Sequence, residues 1–272
     1  MDNFATYILD EKDLGQKMVI AYYLSKKTGI FFDKSIVLKA EIARIYMEYM
    51  KLDLDKNLVL TAMLLCNCKK IDNAQKIGKL ETFAKDGASY LESLGFSKRF
   101  CKICEEVNRY SGSEQREPES DVLEIVDQFV GLILNRVERE AFTTEEAIIV
   151  LKERNMKASD NRYMDSFIQF IEEMEKICIR EVIEVPIIKK LVNLHNKEAN
   201  VKTFIAILAN KYSKKIDNAL IKKGKMQAKE LFEEDDTITE YELLQKRNFR
   251  SLFSNEIANR VINHESKYKV EE

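Results

Sequence analysis

The chain has 272 residues, 45% of them hydrophobic and 33% charged, with 8 Gly, 2 Pro and a formal net charge of −2. That length and apolar share support a sizeable core, which argues against disorder. The near-neutral balance supplies no global attraction for nucleic acid or an anionic membrane, so any such binding needs a local patch.

With so few breakers, long amphipathic helices should dominate, and the expectation is an all-α protein. No apolar run approaches the roughly 20 residues that span a bilayer, and Met1–Leu9 lacks the basic start and apolar core of a signal peptide. A cytoplasmic location follows as the expectation, with the five cysteines read as reduced thiols rather than a disulfide framework.

In chain order, Asp10–Thr28 reads as a first helix ending at Gly29, a residue suited to the left-handed cap. Asp33 or Ser35 is placed to cap a second helix through Met50. Asp55 is placed to cap a third, nearly all apolar, through Leu65. A polar stretch then gives way to a helix near Glu81–Leu94, stopped by Gly95. Ser97–Tyr110 and Ser120–Val137 follow, and Thr143 with Glu146 has capping-box spacing at the start of a helix to Glu153. The polar Asn155–Arg162 marks a boundary.

Beyond that boundary, Tyr163–Val185 carries Met164, Phe167, Ile168, Ile171, Met174 and Cys178 at helical spacing. That face is wide enough to need a large partner surface, supplied either by later helices or by a second copy of the chain. Pro186 breaks the run, and helices resume at Ile187–Leu194, Val201–Leu220 and Tyr241–Ile262. Charge then segregates, since Lys211–Lys229 holds seven lysines and Glu230–Glu242 seven acidic residues. These read as solvated segments able to pair if the chain folds back, not as a nucleic-acid site.

Four blocks in order carry a family resemblance. Leu64-Leu65-Cys66-Asn67-Cys68-Lys69-Lys70 comes first, then Gly87-Ala88-Ser89-Tyr90-Leu91. Next is Glu106-Val107-Asn108-Arg109-Tyr110-Ser111-Gly112 with Ile125-Val126-Asp127-Gln128-Phe129, and last Asn135-Arg136-x-x-Arg139 with Phe142-Thr143-Thr144-Glu145-Glu146-Ala147. Over about residues 30–155 this order resembles the HD-type metal-dependent phosphohydrolases, and the HD-GYP family in particular. The resemblance implies a helical bundle whose histidines and aspartates hold divalent metals that activate water against a phosphodiester.

Carried over, the metal-ligand positions fall on Cys66, Asn67, Phe83, Glu106, Val107 and Asp127, with the first helix's histidine falling between about Ser35 and Lys39. The chain has only 2 His, His195 and His264, and both lie outside the matched region, where surface or cap roles are expected. Asn67, Phe83 and Val107 offer at best one neutral amide oxygen among them, which cannot replace several imidazoles. The implied protein is a degenerate member with no catalytic residues, no metal and no cofactor.

The expected organisation is an N-terminal helix over residues 1–30, an HD-GYP-like domain over 30–155 and a helical C-terminal region over 160–272. The expected function is a regulatory or scaffolding module in signalling that binds a protein partner or forms a homodimer. One alternative is a sensor that binds a nucleotide or cyclic dinucleotide without cutting it, through Lys70, Arg109 and Arg136. Another is a residual metal-dependent phosphohydrolase. Lys70 is the expected ion-pair partner of Asp127. Glu105, Glu106 and Asp127 could form a carboxylate cluster for a hard cation. Cys66, Cys68, Cys101 and Cys104 could form a zinc site, although buried core thiols fit them better.

Overall fold

The computed structural model describes residues 4–70, 83–107, 116–136, 139–156 and 161–224. Helices account for most of them, so the chain is all-α in class. Among the described residues no helix is long and apolar enough to cross a membrane. Arg109, His264, the expected helix Tyr241–Ile262 and the acidic stretch Glu230–Glu242 lie outside the described residues.

Local chemistry sets most helix ends. A short helix α1 (Phe4–Asp10) precedes α2 (Leu14–Thr28), and the helix expected from Asp10 starts at Leu14 instead, where Asp13 caps α2 by accepting a hydrogen bond from the Gln16 N–H. Gly29, at φ 71°, closes α2 in the left-handed region, where a side chain would be strained. Asp33 caps α3 (Lys34–Tyr49) through the Ile36 N–H, and Asp55 caps α4 (Lys56–Leu65) through the Leu58 N–H. Helices α5 (Phe83–Ser93) and α6 (Lys98–Glu105) follow. Pro118 opens α7 (Pro118–Ile133), two residues earlier than expected, because proline's missing N–H costs nothing in a first turn. At α8 (Thr144–Met156) the capping box is complete: the Glu146 N–H donates to Thr143 Oγ1 at 3.2 Å, and the Thr143 N–H donates to Glu146 Oε2 at 2.9 Å.

The long helix expected over Tyr163–Val185 is instead α9 (Met164–Met174) followed by an antiparallel hairpin, β1 (Cys178–Arg180) and β2 (Glu184–Pro186). Ile177, Ile179, Val182, Ile183 and Val185 are β-branched. Their stiff side chains favour the extended pairing over further helical turns. The chain then continues through α10 (Ile187–Lys197) and α11 (Val201–Ile207), makes a π-helical turn at Leu208–Tyr212 and ends its described part in α12 (Ser213–Lys222).

Helix α3 is the centre of the bundle, with Ile36 through Met47 buried along its whole length. Residues on both sides of the expected boundary share one continuous apolar core. Tyr46 of α3 stands edge-on to Phe167 of α9 at 5.0 Å, Phe129 of α7 packs on the same ring at 5.4 Å, and the Tyr46 hydroxyl lies 2.5 Å from Ser166 Oγ. The apolar face of α9 is therefore covered within the chain, with Phe167 and Ile171 fully buried. Polar ties cross the same junction. Asn161 donates to the Asp121 carbonyl at 2.8 Å, and Arg162 pairs with the Asp121 carboxylate at 2.6 Å. Lys34 at the start of α3 donates to the carbonyls of His195, at 2.8 Å, and Glu198, satisfying the end of α10. The backbone of His195, rather than its ring, makes that tie.

Candidate functional site

The candidate site is built where α3, the end of α4 and the middle of α7 meet. The Phe31 N–H donates to the Cys68 carbonyl at 2.8 Å, pinning the turn that follows α4. Gly87 of α5 lies against the same turn so closely that a β-carbon there would sit 3.3 Å from Cys68 Sγ and 3.4 Å from the Cys66 carbonyl. A side chain at residue 87 would press α5 away from the turn.

At the centre, Lys39 Nζ lies 2.8 Å from Asp127 Oδ1, and Asn67 Nδ2 donates to the same oxygen at 2.9 Å. Lys39 and Asn67 are buried. Burial alone would drive the Asp127 proton affinity up. The charges of Lys39 and Lys70, with the hydrogen bonds from Lys39 and Asn67, outweigh it and hold the carboxyl well below the usual carboxylate range. Burial likewise opposes a charge on Lys39, but the attraction of Asp127 outweighs it and raises the lysine's affinity for its proton. This is a part-buried ion pair with both members charged: the Lys39 side chain is buried, while that of Asp127 is 24% exposed.

The direct partner of Asp127 is thus Lys39, not the expected Lys70. Lys70 is desolvated by its surroundings, which lowers its pKa, and Asp127 opposes that shift from longer range. Its ammonium stands 6.0 Å from the centroid of the half-buried Phe83 ring. The sequence pointed to Lys70 because it follows Asn67 closely in the motif; Lys39 lies 88 residues from Asp127 in the chain. The available signal was Lys39's place among apolar residues of α3, at the end of the Ser35–Lys39 window to which the resemblance assigned a histidine.

Cys66 is buried beside this pair. Desolvation and the Asp127 charge push its thiol far above the ordinary range, which excludes it as a nucleophile at neutral pH. Cys68, Cys101 and Cys104 are also buried. Glu106 and Val107 are buried at the end of α6. Glu106 does not join Asp127: its carboxylate accepts from Ser120 Oγ at 2.9 Å and from the Glu117 N–H at 2.8 Å, bracing α6 to the start of α7. Among the described residues no group of three or more His, Cys, Asp or Glu is placed to hold a metal, so neither the carboxylate cluster nor the four-thiol site is assembled there. Arg136 is exposed, and its guanidinium donates to the Gly131 carbonyl at 3.1 Å.

A second ionic cluster on α3 was not anticipated from the sequence. Arg44 contacts Glu41 at 2.8 Å, Glu48 at 3.0 Å and Asp217 of α12 at 3.0 Å, beside a cleft of about 700 Å³. The i, i+3 and i, i+4 spacing of Glu41, Arg44 and Glu48 is visible in the sequence; the tie to Asp217 is not. Comparison with models of protein families, with curated proteins and with solved structures finds no match.

Proposed function

We propose that this chain is a catalytically inactive HD-GYP-like protein that acts as a regulatory or scaffolding module, binding a protein partner or a second copy of itself. The observation that carries this reading is the Lys39–Asp127 pair. In the enzymes the sequence resembles, the corresponding carboxylate serves a divalent cation; here the Lys39 ammonium, 2.8 Å away, supplies the positive charge that Asp127 needs. A metal would have to displace that ammonium and find further donors among Asn67, a protonated Cys66 and the apolar Val107. That chemistry does not favour hard or borderline cations. The helical frame is kept while the reacting centre becomes an internal strut, and a fold kept without its chemistry serves its surfaces.

The test is an assay of the purified full-length protein, supplied in turn with manganese, iron(II) or zinc, against cyclic dinucleotides and a chromogenic phosphodiester. The expected result is no turnover above buffer. Turnover that is lost on Asp127→Ala, with the fold intact by circular dichroism, overturns the reading.

A second reading, a non-hydrolysing nucleotide sensor, draws support from Asn67 Oδ1, which is buried and has no hydrogen-bond partner among the described residues, in the neighbourhood of the desolvated Lys70. Titration calorimetry with cyclic dinucleotides and nucleoside phosphates separates the two. Saturable heat that disappears in Lys70→Met favours the sensor, and silence across the panel removes it.

A further inference from the structure

The hairpin β1–β2 and helix α12 enclose a groove of about 330 Å³ whose charge is one-sided. Arg180, Lys215, Lys222 and Lys223 line it, against Glu184 as the carboxylate among the described lining residues. The hairpin's other acidic residue, Glu181, is already engaged by Lys190 and by the Tyr212 hydroxyl at 2.9 Å, so it does not offset the groove. Beside the groove, the hairpin tip presents Val182 fully exposed and Ile183 largely so. Isolated exposed apolar residues are ordinary. Two adjacent ones on a tip next to a cationic groove form a surface suited to a segment that is both acidic and apolar.

The chain itself carries such a segment directly after α12. Glu230–Glu242 reads Glu-Leu-Phe-Glu-Glu-Asp-Asp-Thr-Ile-Thr-Glu-Tyr-Glu, seven acidic residues interleaved with Leu231, Phe232, Ile238 and Tyr241. The described chain stops at Gly224, one residue past the groove's own Lys223. Six further residues reach Glu230 and span at most about 20 Å when extended. Lys215 and Lys222 are only about 10 Å apart along the α12 axis. The acidic stretch is thus tethered within reach of Lys215, Lys222 and Lys223, in the groove that Arg180 also lines, at an effective concentration on the order of millimolar.

From the groove's charge, the apolar tip and this tether, we infer that residues 230–242 dock in cis on the groove formed by the hairpin and α12. Their carboxylates meet Arg180, Lys215, Lys222 and Lys223, and their apolar side chains meet Val182 and Ile183. The inference is independent of any chemistry at Asp127. It makes the groove a self-occupied interaction surface, so a competing partner must carry the same acidic and apolar pattern.

Cys178 provides a native probe, because it lines this groove and is only half-buried while the other four cysteines are buried. The experiment follows labelling of Cys178 by N-ethylmaleimide on the full-length chain at low ionic strength, read by mass spectrometry. Protection is the ratio of the labelling rate with the acidic segment neutralised (Glu233→Gln, Glu234→Gln, Asp235→Asn, Asp236→Asn) to the rate with it charged. A protection of about fivefold or more is expected on the native groove, falling toward one in about 0.5 M salt, where screening acts within a few ångströms.

With the groove reversed (Arg180→Glu, Lys215→Glu, Lys222→Glu), protection by the acidic segment disappears. It returns when residues 233–236 are changed to lysine, which separates docking from a mere effect of nearby charge on the thiol. Equal rates for charged and neutralised segments overturn the inference, as does protection that survives groove reversal. Protection that grows with protein concentration assigns the occupant to a second copy and overturns docking in cis. Circular dichroism on each variant keeps the readout tied to folded protein.

Discussion

Lys17 of α2 and Lys39 of α3 are both buried, yet they are held in different ways. Lys39 faces a carboxylate at 2.8 Å and keeps its charge more firmly than a lysine in water. Lys17 donates to the Ile8 carbonyl and to Thr61 Oγ1, at 2.7 Å for the latter, and has no carboxylate in its shell of hydrogen bonds among the described residues. Burial lowers its pKa to about 8, against weak opposing attraction from Glu11. Two neutral oxygens satisfy the donors of an ammonium without repaying its loss of hydration; a carboxylate does both. The core contains one cation locked by its counter-charge and another kept near its titration point by dipoles alone.

Breaking the first arrangement should have the largest effect. Lys39→Met leaves the part-buried Asp127 with only Asn67 and the more distant Lys70, and is expected to cost about 3 kcal/mol in urea unfolding, at the lower end for a stranded charge because the carboxylate is partly exposed. Changing Asp127→Leu in the same chain removes the stranded charge and should restore stability to within about 1 kcal/mol of the parent, because a buried pair is worth little more than its apolar replacement. A double variant as weak as the single one would show that the pair contributes more than compensated burial.

The pH dependence of stability comes next in size. Lys17 has a folded pKa of about 8, below the value near 10.4 expected in the unfolded chain. Between those values the unfolded state binds more protons, so stability rises with pH across that window. The rise reaches up to about 3 kcal/mol, since each tenfold change in proton affinity is worth about 1.4 kcal/mol. Lys39 carries the opposite sign. Its pKa is raised on folding, so its contribution is complete below about 10.4 and is lost only above that pH. Unfolding midpoints at pH 7.5, 9 and 10 should climb in the parent and stay level in Lys17→Met, which at pH 7 changes stability by about 1 kcal/mol or less. The smallest effect belongs to Thr61→Val. It removes one acceptor from Lys17, costs about 1 kcal/mol and moves the start of the alkaline rise to lower pH.

What could be read from the sequence was local. Asp33, Asp55, Gly29 and the Thr143–Glu146 box act within three or four residues of themselves, and each stands where its chemistry placed it. The hairpin after α9 was missed because Phe167, Ile171 and Met174 keep helical spacing right up to the β-branched run that ends it, and apolar spacing does not say when a helix yields to a strand. At the candidate site, Cys66, Asn67 and Asp127 could be located by order along the chain. Their joining partner could not, since Lys39 and Lys70 are equally cationic and only the packing of α3 on α7 decides which reaches the carboxylate. The bracing role of Glu106 toward α7 was hidden for the same reason: the Glu117 N–H and Ser120 lie 11 and 14 residues further along the chain.

The π-helical turn at Leu208–Tyr212 makes this part of the chain sensitive to length more than to composition. Its wide loop, in which the Ser213 N–H reaches back to the Leu208 carbonyl, holds one residue more than a regular turn would. Ala209 on that turn sits so near α2 that a β-carbon on Gly15 would come within 2.9 Å of it. Deleting a single residue here would regularise the helix and rotate all of α12 by about 100°. Ile216 and Leu220 would turn out of the core, and Asp217 away from Arg44. A register change of one position would therefore disengage the last described helix as a whole, which no single substitution on its surface can do.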